Sequence, residues 1–155
     1  MSSTAAAPRA RFPRQIPYII GNEGCERFSF YGMRNILVQF LITSTLLQHI
    51  LSDGERALAA KDLMHGFMIG VYFFPLLGGW LADRFFGKYN TILWFSLIYC
   101  AGHACLALFE DSRTGFFTGL GLIALGAGGI KPLVASFVGD QFDQSNKHLA
   151  KIVFD

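Results

Sequence analysis

Charge is scarce in this sequence. Only 15% of its 155 residues are Asp, Glu, Lys or Arg, against about 25% in soluble domains. Cysteine is nearly absent. Cys25, Cys100 and Cys105 are an odd number set in apolar sequence, which supplies neither a zinc-site spacing nor an even disulfide framework, and they read as small core residues. No nucleophile, base and orienting group fall together, which argues against an enzyme, and nothing calls for a metal or cofactor. The basic residues form no surface interleaved with aromatics, so the net charge of +2 is no sign of a nucleic-acid partner.

What fills the chain instead is apolar surface. Hydrophobic residues make up 52%, with 16 phenylalanines and 17 glycines. Four apolar segments, at about 17–51, 63–82, 89–109 and 115–138, are near or beyond the roughly 20 residues that a helix needs to cross a bilayer. The expected fold is an all-α, polytopic membrane helix bundle over residues 16–155, preceded by a disordered cytoplasmic arm at 1–15. That arm carries Arg9, Arg11 and Arg14 and no cleavage-like pattern after a short apolar run. With an even number of spans, Arg9, Arg11, Arg14, Arg84, Lys88, Lys147 and Lys151 fall on one side and Arg56, Lys61 and Arg113 on the other. The excess of cations puts the N-terminus in the cytoplasm.

The remaining cations, Arg27, Arg34 and Lys131, lie inside the spans. The stretch "EGCERFSFYG" (residues 23–32) adds two acids to them. At about 100° per residue, Glu23, Glu26, Arg27, Phe30, Tyr31 and Arg34 share one face about 140° wide. The opposite face is assigned Cys25, Phe28, Met33 and Leu37, for lipid or neighbouring helices. Grouped charges of this kind belong in a bundle interior or an aqueous cavity, because each would cost several kcal/mol in lipid. Three cations against two carboxylates leave a positive surplus suited to an anionic ligand. In the last segment Gly119, Gly121, Gly126, Gly128 and Gly129 allow close helix approach, and Pro132 predicts a kink beside Lys131. Between the second and third segments, "GGWLADRFFGKYN" reads as a short polar turn, in which Asp83 caps the next helix or meets a cation.

These motifs carry a resemblance. The turn with Gly79, Asp83, Arg84, Gly87 and Lys88 resembles the conserved loop of the major facilitator superfamily, with one more residue before Gly87 than the commonest form. "EGCERFSFYG" resembles the E-x-x-E-R-F-x-Y-Y-G motif of the proton-dependent oligopeptide transporters at Glu23, Glu26, Arg27, Phe28, Tyr31 and Gly32, and departs from it at Phe30, where the motif has tyrosine. "GGIKPLVASFVGDQFD" is similar to that family's fourth helix. The resemblance implies the first four helices of a six-helix N-terminal bundle, read as an N-terminal fragment whose C-terminal remainder is missing. It implies proton-coupled symport of di- and tripeptides by alternating access across a cell membrane, taken to be a bacterial inner membrane. Partners would then be peptide, protons and the lipid bilayer.

Residue by residue, the resemblance implies proton coupling at Glu23, Glu26, Arg27 and Lys131, and at His65, which stands where mammalian relatives use a histidine. It implies substrate binding at Arg27, Tyr31, Arg34, Tyr72 and Lys131, and a structural role for Gly79, Asp83, Arg84 and Gly87. His103 reads as a packed residue bonded to a neighbouring helix. Two other readings are a same-family carrier of another small anion, such as nitrate or an amino-acid conjugate, and a non-transporting membrane scaffold or remnant.

The cation asymmetry has a direct check in the full-length protein. Single cysteines replacing Gly54 and Lys88, in a background without the native three, should react with an impermeant thiol reagent from opposite sides. Reaction of both from outside would overturn the topology.

Overall fold

The computed structural model describes residues 12–48, 51–143 and 146–154. Arg9, Arg11 and most of the expected arm lie outside the described residues. Among those described there is helix and no strand: α1 (Ile16–Thr43), α2 (Thr45–Gln48), α3 (Asp53–Leu81), a π-helical segment (Ala82–Phe86), α4 (Gly87–Leu108), α5 (Arg113–Gly139) and α6 (Lys147–Phe154). The chain forms an all-α bundle.

Helix ends follow capping and backbone geometry more than hydropathy. The apolar stretch 17–51 is interrupted at Ser44, which takes an extended conformation and donates its N–H to Phe40 O. The second helix starts at Asp53, well before the apolar run at 63. There the Ser52 backbone N–H and hydroxyl both donate to the Glu55 carboxylate, at 2.9 and 2.6 Å, an exchange that secures a helix N-terminus. The expected polar turn at 78–90 is helical almost throughout, with a π-helical stretch carrying Asp83 and Arg84. Its break is concentrated at Gly87, whose φ of 72° is open to glycine and costly for other residues. Asp83 makes no cap. Pro132 does not end α5, which continues to Gly139.

Contacts fix the register. On α5, Ala124, Gly128 and Gly129 meet Gly70, Phe74 and Gly78 of α3 in the same order, whereas Gly119, Gly126 and Gly129 meet Gly102, Tyr99 and Phe95 of α4 in reverse. Thus α3 runs parallel to α5 and α4 antiparallel to both. Phe40 stacks on Phe116 with centroids 5.2 Å apart, and Phe30 lies under Lys131, so α1 is also antiparallel to α5. One end of the bundle gathers the Phe12–Phe142 ring pair and the Lys88–Asp140 ion pair of 2.5 Å. The other gathers the Thr45–Asp111 hydrogen bond and the contact of Arg56 with Ile42 O.

Helix α5 is the hub. A Cβ on Gly78 would sit 2.6 Å from Gly129 Cα, one on Gly126 would sit 2.8 Å from Tyr99 Cα, and one on Gly102 would sit 2.8 Å from Ile123 N. These glycines are absences of side chain that let backbones touch. Gly79 and Gly121, by contrast, have nothing within 4 Å, so the close approach belongs to Gly78 rather than Gly79, and Gly121 takes no part in it.

Large apolar side chains cover much of the outside, among them Phe28, Ile69, Tyr72, Trp94 and Leu108, as in a protein whose surroundings are not water. Gly54–Leu108 and Arg113–Gly139 are long and apolar enough to cross a membrane. Cys25 and Cys100 lie on exposed faces and all three cysteines are free, which corrects the core assignment, because an apolar neighbourhood in sequence does not distinguish inward from outward. Leu37 is also reassigned. It is buried with Glu26 and Phe30, since eleven residues make three turns and return it to the face of Glu26.

A substitution pair on α5 tests the hub. Gly126→Ala should lower stability by about 1–3 kcal/mol, the usual cost of overpacking, and Gly121→Ala should be near neutral. Thermal unfolding of the full-length protein in detergent reads both, and equal melting shifts would contradict the close approach.

Candidate functional site

The charged face of α1 divides when the helix packs. Glu26 turns inward with Phe30 and Leu37 and is 5% exposed, while Arg27, Tyr31 and Arg34 stay on the open side and Glu23 is half-buried. Arg27 closes on Glu23, its Nε and Nη2 donating to the same Oε1 at 2.8 and 2.7 Å. The pair is one turn apart, the i, i+4 spacing at which opposite charges meet on a helix.

Glu26 is left differently. Its Oε1 is buried and accepts no hydrogen bond among the described residues, although Lys131 and Arg27 are its cationic neighbours. Lys131 comes from α5, in the turn after Gly128 and Gly129, and its ammonium lies over the Phe30 ring, 4.2 Å from the centroid. A cation over an aromatic face is held by the ring quadrupole, so Phe30 supplies a resting place that leaves the ammonium off the carboxylate. Phe30 is itself stacked on Phe67 of α3, with centroids 6.0 Å apart. The electrostatic neighbours of Lys131 are Glu26, Tyr31, Arg27 and Arg34.

The structure therefore brings together Glu23, Glu26, Arg27, Tyr31, Arg34 and Lys131. For His65 and Tyr72 no hydrogen bond or ion pair with these groups is recorded among the described residues. Both are on the exposed side of α3, well around the helix from the stripe of Ala60, Phe67, Val71 and Gly78 that packs inward. Gly79, Asp83, Arg84 and Gly87 lie at the α3–α4 break, where Asp83 and Arg84 are exposed. Among the described residues, His103 has no hydrogen bond to a neighbouring helix. It packs edge-on against Tyr99 of its own helix, with centroids 4.7 Å apart, and its Nε2 has no hydrogen-bond partner among the described residues.

Some long-range contacts escaped the sequence reading. Lys88 pairs with Asp140, and the Tyr99 hydroxyl meets Ser29 and the carbonyl of Glu26. Each joins residues dozens of positions apart, with no local spacing to announce it. Chemically, the arrangement offers a buried carboxylate beside an ammonium that rests on an aromatic ring, with two further guanidinium groups on the open side.

Known proteins are similar to this chain over most of its length. Residues 89–155 match the family model described as PTR2, the POT family. The chain is 44% identical over 147 residues to Peptide transporter family 1 of Drosophila melanogaster, covering 91% of this chain and 19% of the relative. It is 38% identical over 145 residues to human Solute carrier family 15 member 2, covering 88% and 19%. Among solved structures, an auto-inhibited POT family peptide transporter is 82% identical with a TM-score of 0.88, covering 92% of this chain and 28% of that one. A proton-dependent oligopeptide (POT) family transporter is 72% identical with a TM-score of 0.85, covering 91% and 30%. The chain thus spans about a fifth of the curated relatives and under a third of the solved structures. Its helices superpose on the major-facilitator architecture of those transporters, and that family likeness makes it a membrane protein. With the family model over residues 89–155 and the similarity to these transporters agreeing, the chain belongs to the POT family of membrane transporters.

Proposed function

We propose that the whole protein carries di- and tripeptides across the cytoplasmic membrane together with protons, by alternating access. The observation that carries the reading is the buried Glu26 Oε1, without a hydrogen-bond partner among the described residues, beside Lys131. Relatives named as peptide transporters support the substrate class. A carboxylate in that setting is a proton site whose charge changes the company of the nearby cations. When Glu26 is ionised, it attracts Lys131. When it is protonated, the ammonium is released to meet the peptide's C-terminal carboxylate, with Arg34 and Arg27 on the same open side. Glu23 holds Arg27 in the state described and would exchange that pairing for substrate. Tyr31 lines the same side, and Tyr72 and His65 would reach the pathway from the exposed face of α3.

The loop with Gly79, Asp83, Arg84 and Gly87 would set the angle between α3 and α4 at the cytoplasmic end. We place the N-terminus in the cytoplasm of a bacterial inner-membrane protein; the cation asymmetry supports that orientation.

Substrate polarity is tested with the full-length protein. Amidating the C-terminus of a dipeptide should weaken binding by about 1.5–3 kcal/mol, the range for a hydrogen bond to a charged group. Lys131→Ala should bring the free and amidated peptides closer together. Equal competition by the two in the unmutated protein would exclude this role for the cations.

The proton role is tested separately. With Glu26→Gln, uptake driven by a pH gradient should fall sharply, because the side chain no longer titrates, while gradient-free exchange of labelled for unlabelled peptide should survive better. Intact accumulation in this variant would leave Glu26 a structural group.

A further inference from the structure

The polar contact between α4 and α1 lies off the charged face, and it ends on the backbone of Glu26. Tyr99 is 5% exposed. Its backbone is seated on α5 through Gly126, where a Cβ would come within 2.7 Å of Tyr99 Cβ, and its ring is held edge-on by His103 at 4.7 Å. At the other end, its hydroxyl is 2.7 Å from Ser29 Oγ and donates to Glu26 O at 3.1 Å; Ser29 Oγ approaches the same carbonyl at 3.1 Å. Two hydroxyl protons serve three short contacts, so one hydroxyl donates to the other and the second donates to the carbonyl.

Lys131 follows Gly126 on α5 by little more than one turn. Tyr99 is therefore a strut from the helix that carries the lysine to the residue that carries the acid. Coulomb energy in a low-dielectric interior varies steeply with separation, so a strut of this kind governs how strongly Lys131 acts on Glu26.

We infer that Tyr99 is a positioning residue that sets the distance between Glu26 and Lys131, and thereby the pH at which proton exchange at Glu26 drives transport. The inference rests on the proposed function. The groups facing Glu26 are Glu23 and Arg27 from α1 and Lys131 from α5, with Ser29 and Tyr99 at its carbonyl. His103 stands behind Tyr99, and α3 brings the uncharged Phe67 to Phe30.

The test is the pH profile of initial gradient-driven dipeptide uptake by the full-length protein in liposomes, with gradient-free exchange measured alongside. Tyr99→Phe keeps the ring and removes the strut's end. Its profile should move by about half a pH unit or more, since loss of a hydrogen bond and a changed ion distance both alter a carboxyl's titration, while exchange persists. An unmoved profile overturns the inference, whether uptake stays normal or falls together with exchange at every pH. If Tyr99→Phe does not fold, Ser29→Ala decides by the same measurement: a smaller displacement in the profile supports the strut, and none overturns it. Failure of the unmutated protein to accumulate dipeptides would instead refute the proposed function, and this inference with it.

Discussion

Backbone contact between helices at glycine is the constraint on which the rest of this structure depends. Lipid gives helices no hydrophobic reason to associate, so association relies on close van der Waals packing. Here α5 provides it on two sides at once, with Gly129 between Gly78 of α3 and Phe95 of α4. The burial of α5 follows from this, as nearly every residue from Ile123 to Ile130 is inside. So does the placement of Lys131 at the end of that buried run, and of Tyr99 against Gly126.

The charges are then distributed according to what packing leaves them. Arg27 and Glu23 need no neighbour, because one helical turn brings them together on the open side. Glu26 and Lys131 are brought near each other only because α1 and α5 cross there, and neither is fully satisfied by the other. A buried charge without its partner is expensive, and keeping one is a sign of use rather than of stability. Phe30 makes the arrangement tolerable. Its ring both stacks on Phe67 and holds the ammonium.

The two ends of the bundle are stitched by different means. At one end Lys88 ties the start of α4 to the residue after α5, in an exposed pair of the kind that contributes little to stability. At the other, Thr45 meets Asp111 and Arg56 meets the end of α1. Between these ends apolar and glycine packing carries most of the contact, and the polar exceptions are the Tyr99–Ser29–Glu26 contact and the charges gathered around Glu26 and Lys131.

The membrane class, the number of long helices and the Glu23–Arg27 pair were determined by the sequence itself, because transfer from water is a property of each residue and an i, i+4 pair is a property of one helix. The motif spacing also named the ionic residues that assemble on α1 and α5. Other features were settled only by tertiary structure: which carboxylate is buried, that Gly78 rather than Gly79 makes the contact, that the α3–α4 connection is helical up to Gly87, and that Leu37 faces inward. Rotation of each helix about its axis decides such matters, and its apolar neighbours fix that rotation. Tyr99 is the extreme case, since its partners lie about seventy residues away and a hydroxyl in an apolar helix carries no mark of what it will touch until α5 draws the two helices together.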